Sequence, residues 1–109
     1  LREFMYVDDL ARACYFFLKN IDAKNIYLQN ISHINVGSGF EISINKLVLH
    51  MKEISNFKGH IKFDNSMPDG VQKKLLNSER AAKFGWNAKN DFFISLKKTY
   101  EWYVEVSSS

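Results

Sequence analysis

Tyr15 and Lys19 stand four residues apart, and on a helix that spacing puts both on one face. A lysine so placed can help a tyrosine act as an acid by lowering its pKa. The pattern is short and common, no dinucleotide loop precedes it, and no motif sets a serine beside it. The two therefore read as a pair on a helix flank. Gly37-Ser38-Gly39 follows an apolar stretch and precedes a helical one, as a phosphate loop does. A dinucleotide loop needs a third glycine, and Ile42 stands there. The turn reads as a strand-to-helix connection that uses glycine dihedrals. His33, His50 and His60 are far apart, with no Cys or acidic neighbour at ligand spacing, so no metal site is expected. Cys14 falls on the apolar side of a helical pattern and reads as a small buried hydrophobe. The remaining candidates are cations near turns: Arg2, Lys73 and Lys74. Arginine grips a phosphate through its planar fork, and lysine binds it as a point charge. From spacing alone, each is equally a solvated surface side chain.

These residues need elements to hold them. Residues 2–7 carry aromatic and β-branched side chains and read as a short strand or extended entry. Asp8-Asp9 offers an N-cap, and Leu10, Ala11, Cys14, Phe17, Leu18 and Ile21 form one apolar helix face ending near Asn20. Residues 22–32 are polar and read as a surface loop. A strand is expected from His33 to Val36. Ser43 caps a helix with Ile44, Leu47, Val48, Met51 and Ile54 on one face, closed by Phe57-Lys58-Gly59. A further strand is expected from His60 to Asp64. Pro68-Asp69-Gly70 signals a turn, because Pro fixes φ and Gly tolerates positive φ. Asn77 or Ser78 caps a short helix that stops at Gly85. A last helix runs from about Phe92 to Val106, with residues 107–109 as a disordered tail. The fold class is α/β, with about four helices and two or three short strands. So thin a sheet implies packing against something larger.

The chain has 109 residues, enough for one domain and a core. Its 15% aromatic content argues against disorder. No apolar run approaches the roughly 20 residues of a membrane span. A single Cys excludes an internal disulfide framework and fits a reducing compartment. The net charge of +3 is spread over scattered lysines, which suits a small anionic ligand better than nucleic acid. The chain starts at Leu1 rather than Met, so the length is expected to bound a segment of a longer protein.

Three stretches together carry a resemblance. Arg2-Glu3-Phe4-x-Tyr6-Val7-Asp8-Asp9-Leu10-Ala11 resembles the segment that opens the last third of extended short-chain dehydrogenases acting on nucleotide sugars. Ser32-His33-Ile34-Asn35-Val36-Gly37-x-Gly39 resembles their later strand-turn motif. Phe63-Asp64-x-Ser66-x-Pro68-Asp69-Gly70-x-x-x-Lys74-Leu75-Leu76 narrows the likeness to the GDP-L-fucose synthase family of epimerase-reductases. Gly85-Trp86 and Thr99-Tyr100-x-Trp102-Tyr103 continue it, so it spans residues 1–106.

The resemblance implies a cytoplasmic, homodimeric enzyme with two domains. A Rossmann domain would bind NADP and carry the catalytic groups. A carboxy-terminal domain, corresponding to residues 1–106 here, would help bind the GDP-sugar. By matching position, Arg2 and Lys74 would contact substrate. No catalytic, cofactor-binding or metal-binding residue is expected within the chain, and no nucleic-acid or membrane partner. Tyr15, Lys19 and Cys14 do not fall on the family's catalytic positions. The family's usual turn, Ser-Lys-Pro-Asp-Gly-Thr-Pro-Arg-Lys, is altered here. Met67 replaces the first Lys, Val71-Gln72 replaces Thr-Pro, Lys73 replaces Arg, and Asn77 stands where Asp is usual. A related GDP-heptose or other nucleotide sugar therefore stays open as substrate. So does a non-enzymatic module for an anionic partner.

Overall fold

The computed structural model describes residues 1–66, 70 and 72–108. Met67, Pro68 and Asp69 of the expected turn lie outside the described residues. Among the described residues the order is β1 (Arg2–Glu3), α1 (Val7–Asn20), α2 (Ala23–Tyr27), β2 (Glu41–Ile42), α3 (Ile44–Ser55), α4 (Glu79–Lys83) and α5 (Phe92–Ser107). The class is a mixed one, helices with little strand, and has five helices where about four were expected.

Helix ends follow local chemistry. Ser43 Oγ accepts from Lys46 N–H at 3.2 Å and caps α3, as expected. Asp91 does the same for α5, its Oδ1 accepting from Ile94 N–H at 3.0 Å. Tyr6, and not Asp8 or Asp9, is the N-cap of α1, and its side chain makes no capping bond. Asp8 and Asp9 sit in the first turn, where carboxylates complement the helix dipole. Three helices close in the same way. The N–H groups of Ile31, Phe57 and Trp86 donate to the carbonyls of Ile26, Lys52 and Ala81, at 3.2, 3.1 and 2.9 Å. Each closure passes through a left-handed residue: Asn30, Asn56 or Gly85. Gly85 was anticipated. Asn30 and Asn56 were not, because asparagine signals a left-handed cap less strongly than glycine.

Three expectations for regular structure are corrected. Residues 22–32 are not all loop, since α2 forms there and its closing turn brings Ile31 into a buried position. His33–Val36 and His60–Asp64 form no strands. An extended segment becomes a strand only when a neighbour takes its main-chain N–H and C=O groups, and neither segment has one among the described residues. The sheet consists of β1 and β2, antiparallel, with Arg2 opposite Ile42 and Glu3 opposite Glu41. α5 runs through Ser107, one residue beyond the expected end, and Ser108 caps it.

Packing is thin. The core cluster is Ala13, Ala81 and Trp86, with Ile34, Val36, Phe16 and Phe17 half-buried against it. α3 packs on α5, where the His50 and Phe93 rings lie 4.2 Å apart. The expected buried face of α1 is corrected, because Leu10, Cys14 and Leu18 are exposed and Leu18 is 87% so. Leu28 on the next turn is 82% exposed. The radius of gyration is 17.5 Å, and the molecule measures 55 × 37 × 21 Å. A compact domain of this length has a radius near ~13 Å. The chain is a slab that leaves much apolar surface uncovered.

Two consequences can be measured. Ser43→Ala removes a working cap and is expected to cost about 1 kcal/mol in denaturant unfolding. Ser78 precedes α4 but makes no cap bond, and its buried Oγ finds no partner among the described residues. Ser78→Ala is therefore expected to leave stability within a few tenths of a kcal/mol, or to raise it. At the other end of the molecule, Asp64 accepts from Ser66 Oγ–H at 2.6 Å and from Ser66 N–H at 2.8 Å. The side-chain bond first, then the backbone bond, holds its carboxyl below the usual carboxylate range. A depressed carboxyl contributes stability above its unfolded pKa and loses it as pH falls through the folded one. Ser66→Ala should shift the Asp64 titration upward in a carbon-detected NMR pH series. An unmoved titration would contradict this assignment.

Candidate anion-binding site

Arg2 and Lys74 lie 72 positions apart in sequence, and the fold makes them neighbours. They form an isolated parallel bridge. Lys74 N–H donates to Leu1 C=O at 3.3 Å, and the Leu1 amino group donates to Gln72 C=O at 2.8 Å. Arg2 is thus flanked by Ile42 of β2 on one side and Lys74 on the other. Side chains alternate along extended chain. Arg2, Ile42 and Lys74 therefore share one face, and Glu3, Glu41 and Lys73 share the other.

That alternation separates the two adjacent lysines chemically. Lys73 Nζ pairs with Glu41 Oε1 at 3.3 Å, and the Glu41 side chain is only 18% exposed. Lys74 remains beside Arg2. The Arg2 guanidinium donates from Nη1 to Leu1 C=O at 2.8 Å, which leaves other N–H groups of its fork available. Gly70 lets it lie close, because a Cβ there would stand 3.3 Å from Nη2. The result is an arginine and a lysine on paired main-chain positions, Arg2 half-buried and Lys74 exposed, residue types that suit phosphate oxygens.

Glu3 organises the other face. Its Oε2 accepts from Gly39 N–H at 2.9 Å and its Oε1 from Leu76 N–H at 3.3 Å. Gly39 has φ +74°, the left-handed region that favours glycine. Gly37 is buried against the carboxylate, and a Cβ there would stand 2.8 Å from both Glu3 oxygens. The Gly37-Ser38-Gly39 turn does hold an anion, but that anion is the protein's own. A phosphate brought to it would meet a carboxylate. Together with Ile42 in place of the third glycine, this means that the residues present do not fit the dinucleotide implied by the resemblance.

The other candidates stay apart from this edge. Tyr15 and Lys19 meet on the outer flank of α1, Lys19 Nζ donating to Tyr15 Oη at 3.4 Å, with Tyr15 63% exposed. Cys14 is exposed on the same helix, which corrects the buried reading; it lines an open groove between α1, α2 and the connector of residues 34–36. His33 Nδ1 lies 3.2 Å from Ser32 Oγ, and the His50 ring packs at a tilt on Phe93. A cavity of about 480 Å³ lies between the start of α1, α3 and α5, walled by Phe4, Phe40, Met51, Phe92 and Phe93. Neither Arg2 nor Lys74 lines it. Asp9 lies in its wall, 4% exposed, and accepts from Asn90 Nδ2 at 2.7 Å. Among the described residues two groups have displaced pKa values. The Tyr6 hydroxyl is pushed up by desolvation and then by Asp8, and the Asp64 carboxyl is held down. Both shifts lead away from neutrality, so neither group is poised for proton transfer there.

Sequence reasoning singled out Arg2 and Lys74, which the fold pairs, and did not single out three residues around them. Glu3 was quoted only as part of a motif, and Glu41 not at all. Gly37 was seen as a turn residue. The available signal was the Arg-Glu pair itself, because adjacent residues of a strand must face opposite ways.

No family model matches the chain. It is 42% identical to a GDP-L-fucose synthase of Sinorhizobium fredii over 94% of its own length and 31% of the relative's. Two solved structures from Campylobacter jejuni share its course. A GDP-6-OMe-4-keto-L-xylo-heptose reductase matches with a TM-score of 0.85 at 34% identity, over 95% of this chain and 31% of that one. A GDP-mannoheptose C4 reductase with NADP bound matches with a TM-score of 0.78 at 35% identity, over 94% and 31%. The chain spans about a third of the length of these relatives. In sequence and in fold it belongs, as the counterpart of their C-terminal part, with the GDP-L-fucose synthases and GDP-sugar reductases of the extended short-chain dehydrogenase/reductase family.

Proposed function

We propose that this chain is the GDP-sugar-binding part, residues 1–106, of a cytoplasmic, homodimeric enzyme that epimerises and reduces a GDP-4-keto-6-deoxy-sugar. Arg2 and Lys74 hold the diphosphate and take no part in bond making. The observation that carries this reading is the Arg2–Lys74 bridge, which sets two cations from distant parts of the chain side by side. The ion pair of Lys73 with Glu41 supports it, since it leaves Lys74 for the ligand. NADP belongs, on this reading, to a Rossmann domain outside the chain, where it supplies the hydride. That domain would also cover the exposed apolar face of α1. No helix among the described residues is long and apolar enough to cross a membrane. The sugar is a 6-deoxyhexose or a heptose, since the names of the relatives include both.

The test is calorimetric titration of the intact protein with GDP. Lys74→Met and Arg2→Lys are each expected to weaken binding about tenfold or more, since hydrogen bonds to charged groups contribute roughly 1.5–3 kcal/mol. Unchanged affinity in both variants would end this reading. Tight, steeply salt-dependent binding of oligonucleotides in place of GDP would favour the non-enzymatic anion module. The 109-residue chain alone is expected to show no turnover of a GDP-4-keto sugar with NADPH. Measurable NADPH oxidation by it would contradict the placement of the catalytic groups outside the chain.

A further inference from the structure

Glu3 points away from the face that carries Arg2 and Lys74, yet it ties together the segments that bear them. In a continuing parallel ladder the Leu76 N–H would go to the main-chain carbonyl of Glu3. Here the side-chain Oε1 takes that N–H at 3.3 Å, so the pairing stops after the single Arg2–Lys74 bridge. The same carboxylate holds Gly39 N–H at 2.9 Å, just ahead of β2, the strand that flanks Arg2 on its other side. The Lys74 segment is also held by Lys74 N–H and Gln72 C=O, which bond to Leu1, and by the Lys73–Glu41 pair. Gln72 to Asn77 are exposed and make no regular structure beyond the bridge. The Glu3 carboxylate is the tie that joins this segment, through Leu76, to the turn before β2, and so helps to set where Lys74 stands relative to Arg2.

We propose that Glu3 is a positioning residue for diphosphate binding and acts through Lys74; this rests on the GDP-sugar reading above. The sign of its effect separates positioning from charge. Removing a carboxylate close to an anion site should tighten anion binding if only its field mattered. A positioning role predicts the reverse.

The experiment is a double-mutant cycle in the intact protein, with GDP as the probe and calorimetry as the readout. Glu3→Gln keeps one acceptor oxygen and brings an NH2 group against the other amide. It is expected to weaken GDP binding about fivefold in the native background and less than about twofold beside Lys74→Met. Gly37→Ala, whose Cβ would push on both Glu3 oxygens without altering any charge, should reproduce the loss. Amide hydrogen exchange supplies the second readout. The Lys74 and Leu76 amides should exchange faster in Glu3→Gln, while α3 amides keep their protection. Equal or tighter GDP binding by Glu3→Gln would overturn the proposal. So would the same loss in both backgrounds, or loss of protection throughout α3. If Lys74→Met and Arg2→Lys both leave GDP affinity unchanged, the underlying reading fails, and this proposal with it; if Lys74→Met alone does so, this proposal fails and the reading stands on Arg2. If Lys74→Met weakens binding and Glu3→Gln does not, positioning alone fails.

Discussion

The Glu3 carboxylate accepts two main-chain N–H groups that arrive from different parts of the chain, Gly39 at 2.9 Å and Leu76 at 3.3 Å. Charge-assisted bonds of this kind are stronger than bonds between neutral groups. They also need the donors to come close, and that requirement spreads outward. Gly37 must lack a side chain, because a Cβ would collide with the carboxylate. Gly39 must take a left-handed φ for its N–H to turn inward. Glu41 lies directly opposite Glu3 across the sheet, and like charges so placed repel. Lys73 relieves that repulsion by pairing with Glu41. With Lys73 committed to this face, strand alternation sends Lys74 to the other one beside Arg2. The proposed anion site is thus the reverse side of the Glu3 contacts.

The sheet that carries this arrangement is very small, two residues in each strand. An isolated pair of strands that short has no stability of its own in water. Its support comes from Ile42, which is 3% exposed, and from the Glu3 bonds to Gly39 and Leu76. Asp9 contributes from the start of α1. Its buried carboxylate accepts from Asn90, which fastens α1 to the loop before α5. Burying a carboxylate is costly unless it is hydrogen-bonded and electrostatically compensated. The Asn90 bond and the first-turn position of Asp9 supply both. The pattern recurs at Glu3: in a molecule with a thin apolar core, carboxylates bonded to amide groups join the elements.

Much of the helical content was legible in the sequence, because helix ends are set by local chemistry. Ser43, Gly85 and the start of α5 fell where cap preferences put them. What was not legible depends on contacts between distant residues. His33–Val36 has strand composition but no strand beside it, and its Ile34 and Val36 serve the core as an extended connector. Glu41–Ile42 has weaker strand character and becomes β2 because Arg2–Glu3 lies alongside. The apolar stripe of α1 was read correctly as a stripe. Whether it is buried depends on what covers it, and within this slab nothing covers Leu18. The candidate site divides in the same way. Arg2 and Lys74 came from motif position, whereas their adjacency and the role of Glu3 needed the pairing.

The departures from the family turn can now be weighed by what each side chain touches. Lysine for arginine at position 73 would alter recognition if that residue gripped a phosphate, since a planar fork and a point charge are not equivalent there. In this fold Lys73 meets Glu41, a half-buried carboxylate of the chain itself, and a point charge suffices to balance it. Asn77, in place of the usual aspartate, accepts from Glu79 N–H at 3.0 Å through Oδ1. An aspartate oxygen would accept the same bond. Both changes thus fall on contacts within the protein, and neither alters the face that carries Arg2 and Lys74. Differences in the sugar bound by relatives of this chain should therefore be sought away from these two positions. On the reading proposed above, the diphosphate, common to every GDP-sugar, is the part of the ligand that this edge would meet.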